Sequence, residues 1–331
     1  MCAISGGWHS SRCSFAGEAA RGENFAEEIA SLLQEYTAIM AETNCSEESE
    51  VLLRFHISDP ANQYPVLRKA LAGRKGGFVS VPVVLAAKHC KIPCIIHESD
   101  ITPGLANKLA IPSATKVCAN FPETLNYLPK EKAVLTGSPI RKELFTGNKI
   151  KGLDFCGFTA NKPVLLVIGG STGAAAVNNA IRDLLPTLLQ KFQIIHLCGK
   201  GKTDESYNDR AGYVQYEYIN EELKDLFAAA DVIVSRAGAN AICELLALKK
   251  PNVLIPLSAA ASRGDQILNA ESFERQGFSY VLKEEDVTNE TLLSAITEVY
   301  ENRESFVAAM NESKLNHAIE TITSMIVELS K

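Results

Sequence analysis

The chain has 331 residues, of which 46% are apolar and 22% charged. This balance is typical of a globular protein and excludes disordered and collagen-like chains, and the length favours two domains over one. The formal charge of 33 − 39 = −6, with a pI near 5.7, argues against a nucleic-acid binder that depends on a broad basic surface.

Nine cysteines are scattered along the chain without a CxxC pair. We therefore expect neither a zinc site nor a disulfide framework, but mostly buried thiols in a reducing cytoplasm. The start, Met1 to Phe15, has no basic segment leading into an apolar one, so we expect no signal peptide.

The predicted elements begin with apolar side chains at helical spacing between Phe25 and Met40, which predict one amphipathic helix. No buried first strand is apparent before residue 75. From Gly76 onward, short β-branched runs alternate with helical patterns. The predicted strands are Cys94–Glu98, Lys116–Ala119, Ala133–Thr136, Val164–Ile168, Gln193–Leu197, Val214–Tyr218, Val232–Ser235, Val253–Leu257 and Ser279–Leu282. The predicted helices are Val81–His89, Gly173–Leu189, Glu221–Ala230, Ala239–Leu248 and Asp265–Gln276, and the chain after Val287 is helical.

Near-continuous apolar strands separated by helices predict an α/β fold with parallel sheets covered on both faces, and two sheets fit better than one. The rhythm breaks into Gly, Lys, Asn and Pro around 141–162. We therefore predict a first domain over 1–142, a linker over 143–162 and a second domain over 163–300.

A buried strand runs into glycines and then a helix at Val164–Ala174. Glycines let a backbone approach a ligand, while free N–H groups and the helix dipole favour an anion there. Ser171 and Thr172 would add hydroxyl donors to a diphosphate. The spacing matches neither GxGxxG nor a Walker loop, and a tight turn without a ligand is the alternative.

Two further strand ends in this half have polar or glycine-containing loops. After Asp231–Ser235 comes a turn and a helix whose first turns contain Asn240 and Glu244. A carboxylate there can accept hydrogen bonds from both ribose hydroxyls of a nucleotide; the alternative is a surface glutamate on an amphipathic helix. Pro256–Ala270 is a loop of small residues that ends at a helix start. Open α/β sheets bind ligands at such carboxyl ends.

In the first half, 75–80 and His97–Asn107 have the same placement at strand ends. His97, Glu98 and Asp100 could be acid–base groups, metal ligands or a satisfied hydrogen-bond network, and taken alone the network is favoured. The chain contains no D-x-D, the usual metal clamp for a sugar diphosphate. We therefore expect no metal site and no cofactor.

Together these segments resemble the MurG family, bacterial glycosyltransferases of peptidoglycan synthesis. The similarity runs from about Lys75 to near the C-terminus. The matching runs are Gly76-Gly-Phe-Val-Ser-Val-Pro, His97-Glu-Ser-Asp-Ile-Thr-Pro-Gly-Leu-Ala-Asn107, Leu135-Thr-Gly-Ser-Pro-Ile-Arg141, Gly169-Gly-Ser-Thr-Gly, His196-Leu-Cys-Gly-Lys, Ser235-Arg-Ala-Gly-Ala and Arg263-Gly-Asp-Gln-Ile-Leu-Asn-Ala270.

The resemblance implies a GT-B glycosyltransferase: two Rossmann-like domains facing across a cleft, with a C-terminal helical segment, 301–331, returning to the first. It implies metal-free transfer of N-acetylglucosamine, with inversion, from its UDP conjugate to undecaprenyl-pyrophosphoryl-muramyl-pentapeptide. It also implies a peripheral position on the cytoplasmic face of the bacterial plasma membrane, reached through an apolar, basic-rimmed patch on the first domain.

The resemblance also implies site residues. Those for UDP-N-acetylglucosamine are Arg141, Ser171, Thr172, Ile219, Ala239, Asn240, Glu244 and Gln266. Those on the acceptor side are Gly76, Gly77, Glu98, Asp100, Gly104 and Asn107. The commoner family residue at Asp100 is Asn.

The start departs from the family pattern, which opens with a strand and a Gly-rich loop ending in a histidine. The one echo here is Gly6-Gly7-Trp8-His9. His9 and Glu98 are thus the candidate catalytic residues. A divergent start, a truncated copy and a shifted reading frame all fit residues 1–75.

Three hypotheses follow. The leading one is an inverting N-acetylglucosaminyltransferase. The second is a donor-binding protein without transferase activity, because the first loop is altered. The third is a related UDP-sugar enzyme of the same architecture, such as a glycolipid glucosyltransferase or a UDP-sugar 2-epimerase.

Overall fold

The computed structural model describes residues 72–75, 80–89, 91–169, 175–259, 264–313, 315 and 317–330. The predicted helix between Phe25 and Met40 lies outside these residues. The described chain divides into two units. The first contains the described residues up to Arg141 together with those from 315 onward, and the second is Lys142–Ser313.

The first unit contains a parallel sheet with the described strands in the order β1-β2-β3-β4. Its strands are β1 (Ala72–Lys75), β2 (Cys94–Glu98), β3 (Lys116–Ala119) and β4 (Ala133–Leu135), and its first two helices are α1 (Ser80–His89) and α2 (Leu105–Ala110). All of β2 is buried because it lies between two other strands. Ile96 and Val117 pack with Val84 of α1 on one face of this sheet.

The second unit contains a six-stranded parallel sheet. Its strands are β5 (Val164–Ile168), β6 (Gln193–Leu197), β7 (Tyr213–Tyr216), β8 (Val232–Ser235), β9 (Asn252–Leu254) and β10 (Tyr280–Val281). Its helices are α3 (Lys149–Cys156), α4 (Ala175–Lys191), α5 (Leu223–Ala229), α6 (Ala239–Ala247), α7 (Asp265–Arg275), α8 (Asn289–Glu301) and α9 (Arg303–Asn311).

The strand order of this sheet is β10-β9-β8-β5-β6-β7. The chain builds outward from β5 to β6 and β7, then returns to β8 on the other side of β5 and builds outward again. This is the order of the dinucleotide-binding Rossmann fold. The predicted α/β class with two Rossmann-like domains is confirmed.

The last helix, α10 (Ala318–Ser330), belongs to the first unit. Neighbouring residues of a strand point to opposite faces, so Ile95 lies on the face opposite Ile96. On that face Ile95 and Cys118 pack against Ile322 and Ile326, one turn apart on α10. The C-terminal helix therefore completes the second face of the first sheet.

The segment predicted as a linker, 143–162, contains a helix that packs within the second unit. Helix α3 begins after Asn148, whose side chain accepts from the N–H groups of Ile150 and Lys151. Asn148 N–H in turn donates to Asp225 Oδ1 at 2.6 Å. The helix has little apolar periodicity, and Ile150 is exposed. The sequence pattern therefore does not indicate it.

Five predicted strands, β2, β3, β5, β6 and β8, have the predicted bounds. The strand predicted at Val253–Leu257 ends instead at Leu254, and Ile255 and Pro256 continue as buried loop. The sequence analysis did not predict β1, α2 or α3. None of the described helices is long and apolar enough to cross a membrane.

Five cysteines of the described chain are buried thiols: Cys94, Cys118, Cys156, Cys198 and Cys243. Burial raises the pKa of the Cys94 and Cys156 thiols to about 11. Such thiols stay protonated near neutral pH and pack as small apolar groups.

Candidate functional site

The order of strands in the second sheet reverses between β5 and β8, which are neighbours. In open α/β sheets, the loops that leave the two strands at such a reversal turn to opposite faces of the sheet, so a ligand crevice is expected at their carboxyl ends. Ile168 and Ser235, the last residues of the two strands, lie side by side. The predicted donor loops of this half start at this point.

The glycine segment after β5 is described only at its start. Gly169 is buried, and its N–H donates to Leu197 O of β6 at 3.3 Å. Ser171 and Thr172 lie outside the described residues, which resume with α4 at Ala175. The segment therefore connects the carboxyl end of β5 to the N-terminus of the long helix α4.

The turn after β8 leads directly into α6, with Gly238 as the N-cap residue in an extended conformation. Ala239 is buried, Asn240 is exposed and Glu244 is half-buried. Positions four apart lie on the same face of a helix, so Asn240 and Glu244 share one face in the first turns of α6. Their role in binding a nucleotide stays a prediction.

Arg236, in the same turn, ties together the carboxyl ends of three strands. Its guanidinium is 8% exposed and donates to Ile255 O at 3.0 Å and Pro256 O at 3.3 Å, after β9. It also forms an ion pair with Glu284, after β10. Glu284 Oε2 accepts from the Ser258 N–H at 3.2 Å. These bonds fix residues 255–258, the first part of the segment between β9 and α7.

Gln266 lies in the first turn of α7, after Gly264 in the left-handed conformation at φ +84°. Its Oε1 accepts from the Leu257 N–H at 3.2 Å. That bond orients the amide and leaves its N–H groups as donors to other acceptors. Gln266 is therefore held at the carboxyl end of β9.

Two predicted donor residues lie further away along the chain. Ile219 is half-buried and follows β7, at the edge of the second sheet. Arg141 is half-buried and belongs to the first unit, at the end of the loop after β4. The structure thus brings Ala239, Asn240 and Gln266 to adjacent strand ends, whereas Arg141 lies in the other unit.

Glu98, the last residue of β2, organises the loop that follows it. Its side chain is 4% exposed. Oε1 accepts from the Asp100 N–H at 3.1 Å, and Oε2 accepts from the Gly104 N–H at 3.1 Å and from Asn107 Nδ2 at 2.7 Å. Burial raises the pKa of Glu98, and these three donors oppose that shift.

The same loop is tied to the neighbouring strand ends. Asn120 Nδ2, after β3, donates to Ser99 O at 2.9 Å, and Thr124 Oγ1 donates to Asp100 O at 3.2 Å. Glu98, Asp100, Gly104 and Asn107 are therefore brought together in one cross-linked loop, in agreement with the hydrogen-bond network considered from sequence.

His97 links this loop to the one after β4. Its Nε2 lies 3.0 Å from Gly137 O, and since a carbonyl only accepts, Nε2 is the donor. Gly137 has φ +74°, and a Cβ there would overlap the backbone of Leu315. Only glycine fits this turn, which ends at Arg141.

Two predicted acceptor residues, Gly76 and Gly77, and the candidate catalytic residue His9 lie outside the described residues. The sequence analysis assigned no role to Arg236, Asn120 or Thr124, which anchor the candidate loops. Arg236 belongs to the run Ser235-Arg-Ala-Gly-Ala. Its partner Glu284 is 48 positions further along the chain, so the sequence pattern does not indicate the ion pair. Among the described residues, no three His, Cys, Asp or Glu side chains form a group able to hold a metal ion.

Two family models match the chain. Residues 164–325 match the glycosyltransferase family 28 C-terminal domain, and residues 65–119 match the glycosyltransferase family 28 N-terminal domain. The first match spans all six strands of the second sheet. The second begins before Lys75, where the sequence resemblance begins, and ends with β3.

Curated relatives extend this match. A protein of Lachnoclostridium phytofermentans named UDP-N-acetylglucosamine–N-acetylmuramyl-(pentapeptide) pyrophosphoryl-undecaprenol N-acetylglucosamine transferase is 74% identical over 255 residues, 77% of this chain and 72% of the relative. A protein of the same name from Lachnospira eligens is 63% identical over 257 residues, 78% of this chain and 73% of the relative.

Among solved structures, the crystal structure of Acinetobacter baumannii MurG superposes with a TM-score of 0.59 at 28% identity, covering 77% of this chain and 72% of that one. Sequence relatives, domain models and fold agree. The chain belongs to the MurG family, within glycosyltransferase family 28.

Proposed function

We propose that this chain is a glycosyltransferase that moves N-acetylglucosamine from UDP-N-acetylglucosamine to undecaprenyl-pyrophosphoryl-muramyl-pentapeptide, with inversion at the sugar carbon. The observation that supports this most directly is the reversal of strand order between β5 and β8, together with the placement of Asn240 and Glu244 on one face of α6, which follows β8. The names of relatives at 74% and 63% identity support the same reaction.

On the donor side, Glu244 accepts hydrogen bonds from the ribose hydroxyls, and Gln266 donates its amide N–H to the sugar. Ala239 and Asn240 line the phosphate region, and Ile219 lies against the uracil. Backbone N–H groups at the start of α4, with Ser171 and Thr172, stabilise the charge on the departing diphosphate. Arg141 adds a permanent positive charge to that diphosphate.

On the acceptor side, the loop of Asp100, Gly104 and Asn107, with Gly76 and Gly77, binds the lipid-linked substrate. A base removes the proton of the acceptor hydroxyl as its oxygen attacks the sugar carbon. His9 and Glu98 are the candidates. The three donors of its loop occupy three of about four lone-pair positions of the Glu98 carboxylate, so a proton could be accepted only at the remaining position, on Oε1. In its present contacts it is a positioning residue.

The test is incubation of the whole chain with labelled UDP-N-acetylglucosamine and the lipid-linked acceptor in detergent micelles. We expect a labelled lipid disaccharide. Binding of UDP-N-acetylglucosamine by calorimetry without a labelled product would favour a donor-binding protein instead. Release of free sugar or its epimer without the lipid would favour a related UDP-sugar enzyme.

We also propose that the first unit contacts the cytoplasmic face of the bacterial plasma membrane. Helices α1 and α2 pack on each other and expose Leu85, Leu105 and Leu109, which are 48%, 71% and 56% accessible. Exposed Lys88 and Lys108 lie on the same helices. Apolar side chains flanked by cations suit an anionic lipid surface, and Leu105 directly follows the acceptor loop.

Replacing both Leu105 and Leu109 by serine should weaken binding to anionic vesicles, because it removes apolar area that would enter the interface. Full burial of one leucine side chain contributes about 1.5–3 kcal/mol. We therefore expect the affinity for these vesicles to fall about tenfold or more. Co-sedimentation with phosphatidylglycerol vesicles measures it. The matched control is Ile150→Ser, an equally exposed residue of the second unit. Equal effects of both changes would contradict the proposed surface.

A further inference from the structure

A chain of buried hydrogen bonds connects β6, β7 and α4 in the second unit. His196, on β6, is fully buried. Its Nδ1 lies 3.0 Å from the Tyr213 hydroxyl on β7, and its Nε2 lies 3.0 Å from Asn178 Oδ1 on α4. Asn178 Nδ2 donates to Cys198 O, just after β6, at 2.9 Å. Two strands, a helix and a loop are thus joined through one imidazole.

The direction of every bond in this chain follows from chemistry. A carbonyl only accepts, so the Asn178 amide nitrogen faces Cys198 and its oxygen faces the imidazole. That oxygen also only accepts, so the proton of His196 is on Nε2. Burial, with a smaller effect of Arg182, lowers the pKa of His196 to about 3, so the ring is neutral near pH 7. Nδ1 then accepts from the Tyr213 hydroxyl.

This chain of hydrogen bonds ties the start of α4, a segment of the candidate donor site, to the loop that follows β6. Asn178 lies in the first turn of α4, next to the glycine segment. One turn later, Arg182 Nη2 donates to Lys202 O at 2.6 Å and to Gln215 Oε1 at 3.3 Å. The loop of residues 198–202 is therefore tied to α4 at both of its ends. Arg182 Nη2 also donates to Cys198 Sγ of the same loop at 3.6 Å.

We propose that Asn178 and His196 are positioning residues of the donor site: the imidazole, with its proton on Nε2, holds the Asn178 amide, and the amide ties the start of α4 to the loop 198–202, so that this helix end stays in place at the diphosphate. The inference rests on the proposed function, in which the start of α4 meets that diphosphate. Small displacements of groups that bind an anion or a reacting atom are costly, so such groups need support from buried neighbours.

The variant that tests this is Asn178→Asp, which has nearly the same shape. The carboxylate still accepts from His196 Nε2 but cannot donate to Cys198 O. The matched control is Asn179→Asp, its exposed neighbour, which places the same new charge near the helix start without touching the chain. The difference between the two variants therefore isolates the tether from the charge.

Calorimetry with uridine, UDP and UDP-N-acetylglucosamine supplies the measurement. We expect Asn178→Asp to weaken UDP and UDP-N-acetylglucosamine about tenfold more than Asn179→Asp does, as for the loss of one buried hydrogen bond. Uridine, which has no phosphate, should bind both variants alike. General damage to the fold would weaken all three ligands together, and would overturn the positioning role.

Nitrogen NMR of the histidine ring checks the direction of the chain independently of any ligand. We expect a neutral His196 ring with the proton on Nε2 at pH 7, and either a charged ring or a proton on Nδ1 overturns it. Wild-type protein that binds neither UDP nor UDP-N-acetylglucosamine overturns the proposed function and the positioning role with it. Normal wild-type binding with equal affinities for the two variants overturns the positioning role alone.

Discussion

Glu98 and Glu244 both stand at the carboxyl end of a parallel sheet, but their surroundings differ. Glu98 is 4% exposed and accepts three N–H donors from its own loop. Glu244 is half-buried in the second turn of α6. A buried carboxylate that accepts three N–H donors shapes the backbone around it, whereas a half-buried carboxylate keeps accessible surface at which a ligand can bind.

At the residue scale, Glu244→Ala should weaken UDP-N-acetylglucosamine binding. Removing a carboxylate that accepts from two hydroxyls should cost about 1.5–3 kcal/mol, or about 10- to 150-fold in Kd. Calorimetry measures this directly. Glu274→Ala, an exposed glutamate of α7, is the control. An unchanged Kd for Glu244→Ala would remove this residue from the donor site.

His196 makes folding dependent on pH. Its pKa is about 3 in the folded protein against 6.5 in the unfolded chain. Because the folded value is the lower one, the stabilisation is fully present above pH 6.5 and is lost as the pH falls towards 3. Between about pH 6 and 4 this group should remove up to about 1.4 kcal/mol of unfolding free energy per pH unit.

Urea unfolding of wild type and His196→Gln at pH 7.5, 6 and 5 tests this. Glutamine does not titrate, so the wild-type advantage should shrink as the pH falls. A difference between the two proteins that stays constant over this range would contradict a neutral, buried imidazole.

At the scale of elements, the contact between α3 and α5 depends on the absence of side chains. A Cβ at Gly152 would overlap the backbone carbonyl of Asp225 and come within 3.0 Å of the Ala229 methyl. Gly147 meets Lys224 in the same way. The two backbones can touch only because these positions are glycine.

Gly152→Ala should therefore destabilise the second unit by about 1–3 kcal/mol, the usual cost of overpacking. Helix propensity alone predicts that alanine would raise the unfolding free energy by about 1 kcal/mol. The sign of the measured change therefore distinguishes overpacking from helix propensity. Thermal or urea unfolding measures it. Gly238→Ala, with open space around its Cβ position, should change the unfolding free energy by less than about 1 kcal/mol. A stabilised Gly152→Ala variant would contradict the observed crossing.

At the scale of the whole molecule, the proposed acceptor residues lie in the first unit and the proposed donor residues, apart from Arg141, lie in the second. The Glu98 loop lies in the first unit, and Asn240, Glu244 and Gln266 lie in the second. Each group is fixed by bonds within its own unit, such as Asn107 to Glu98 and Arg236 to Glu284. Donor binding and transfer should therefore respond to different substitutions.

Glu98→Gln should leave the Kd for UDP-N-acetylglucosamine within about twofold of wild type but lower turnover by about tenfold or more, because it replaces an acceptor of the loop by a donor. Calorimetry measures the Kd, and the labelled-lipid assay measures the turnover. Glu131→Gln, an exposed glutamate of the first unit, is the control. A matching loss of donor affinity in Glu98→Gln would contradict this division.

The α/β class and most buried strands follow from the amino-acid sequence, because a parallel strand covered on both faces consists of a short run of apolar residues. The sequence also placed the polar loops at the ends of β2, β5, β8 and β9. These are local properties: each is set by a few neighbouring residues and by the side on which they are buried.

The side-chain hydrogen bonds and ion pairs that connect those loops become visible only in the folded molecule. Arg236 meets Glu284, Glu98 meets Asn107, and His196 is held between Tyr213 and Asn178 because strand order and register bring them within bonding distance. Helix α3 was missed for a related reason, since its stability comes from the glycine contact with α5 rather than from an apolar stripe. Hydrogen bonds and close packing between distant segments depend on positions of a few tenths of an ångström, which no local pattern specifies.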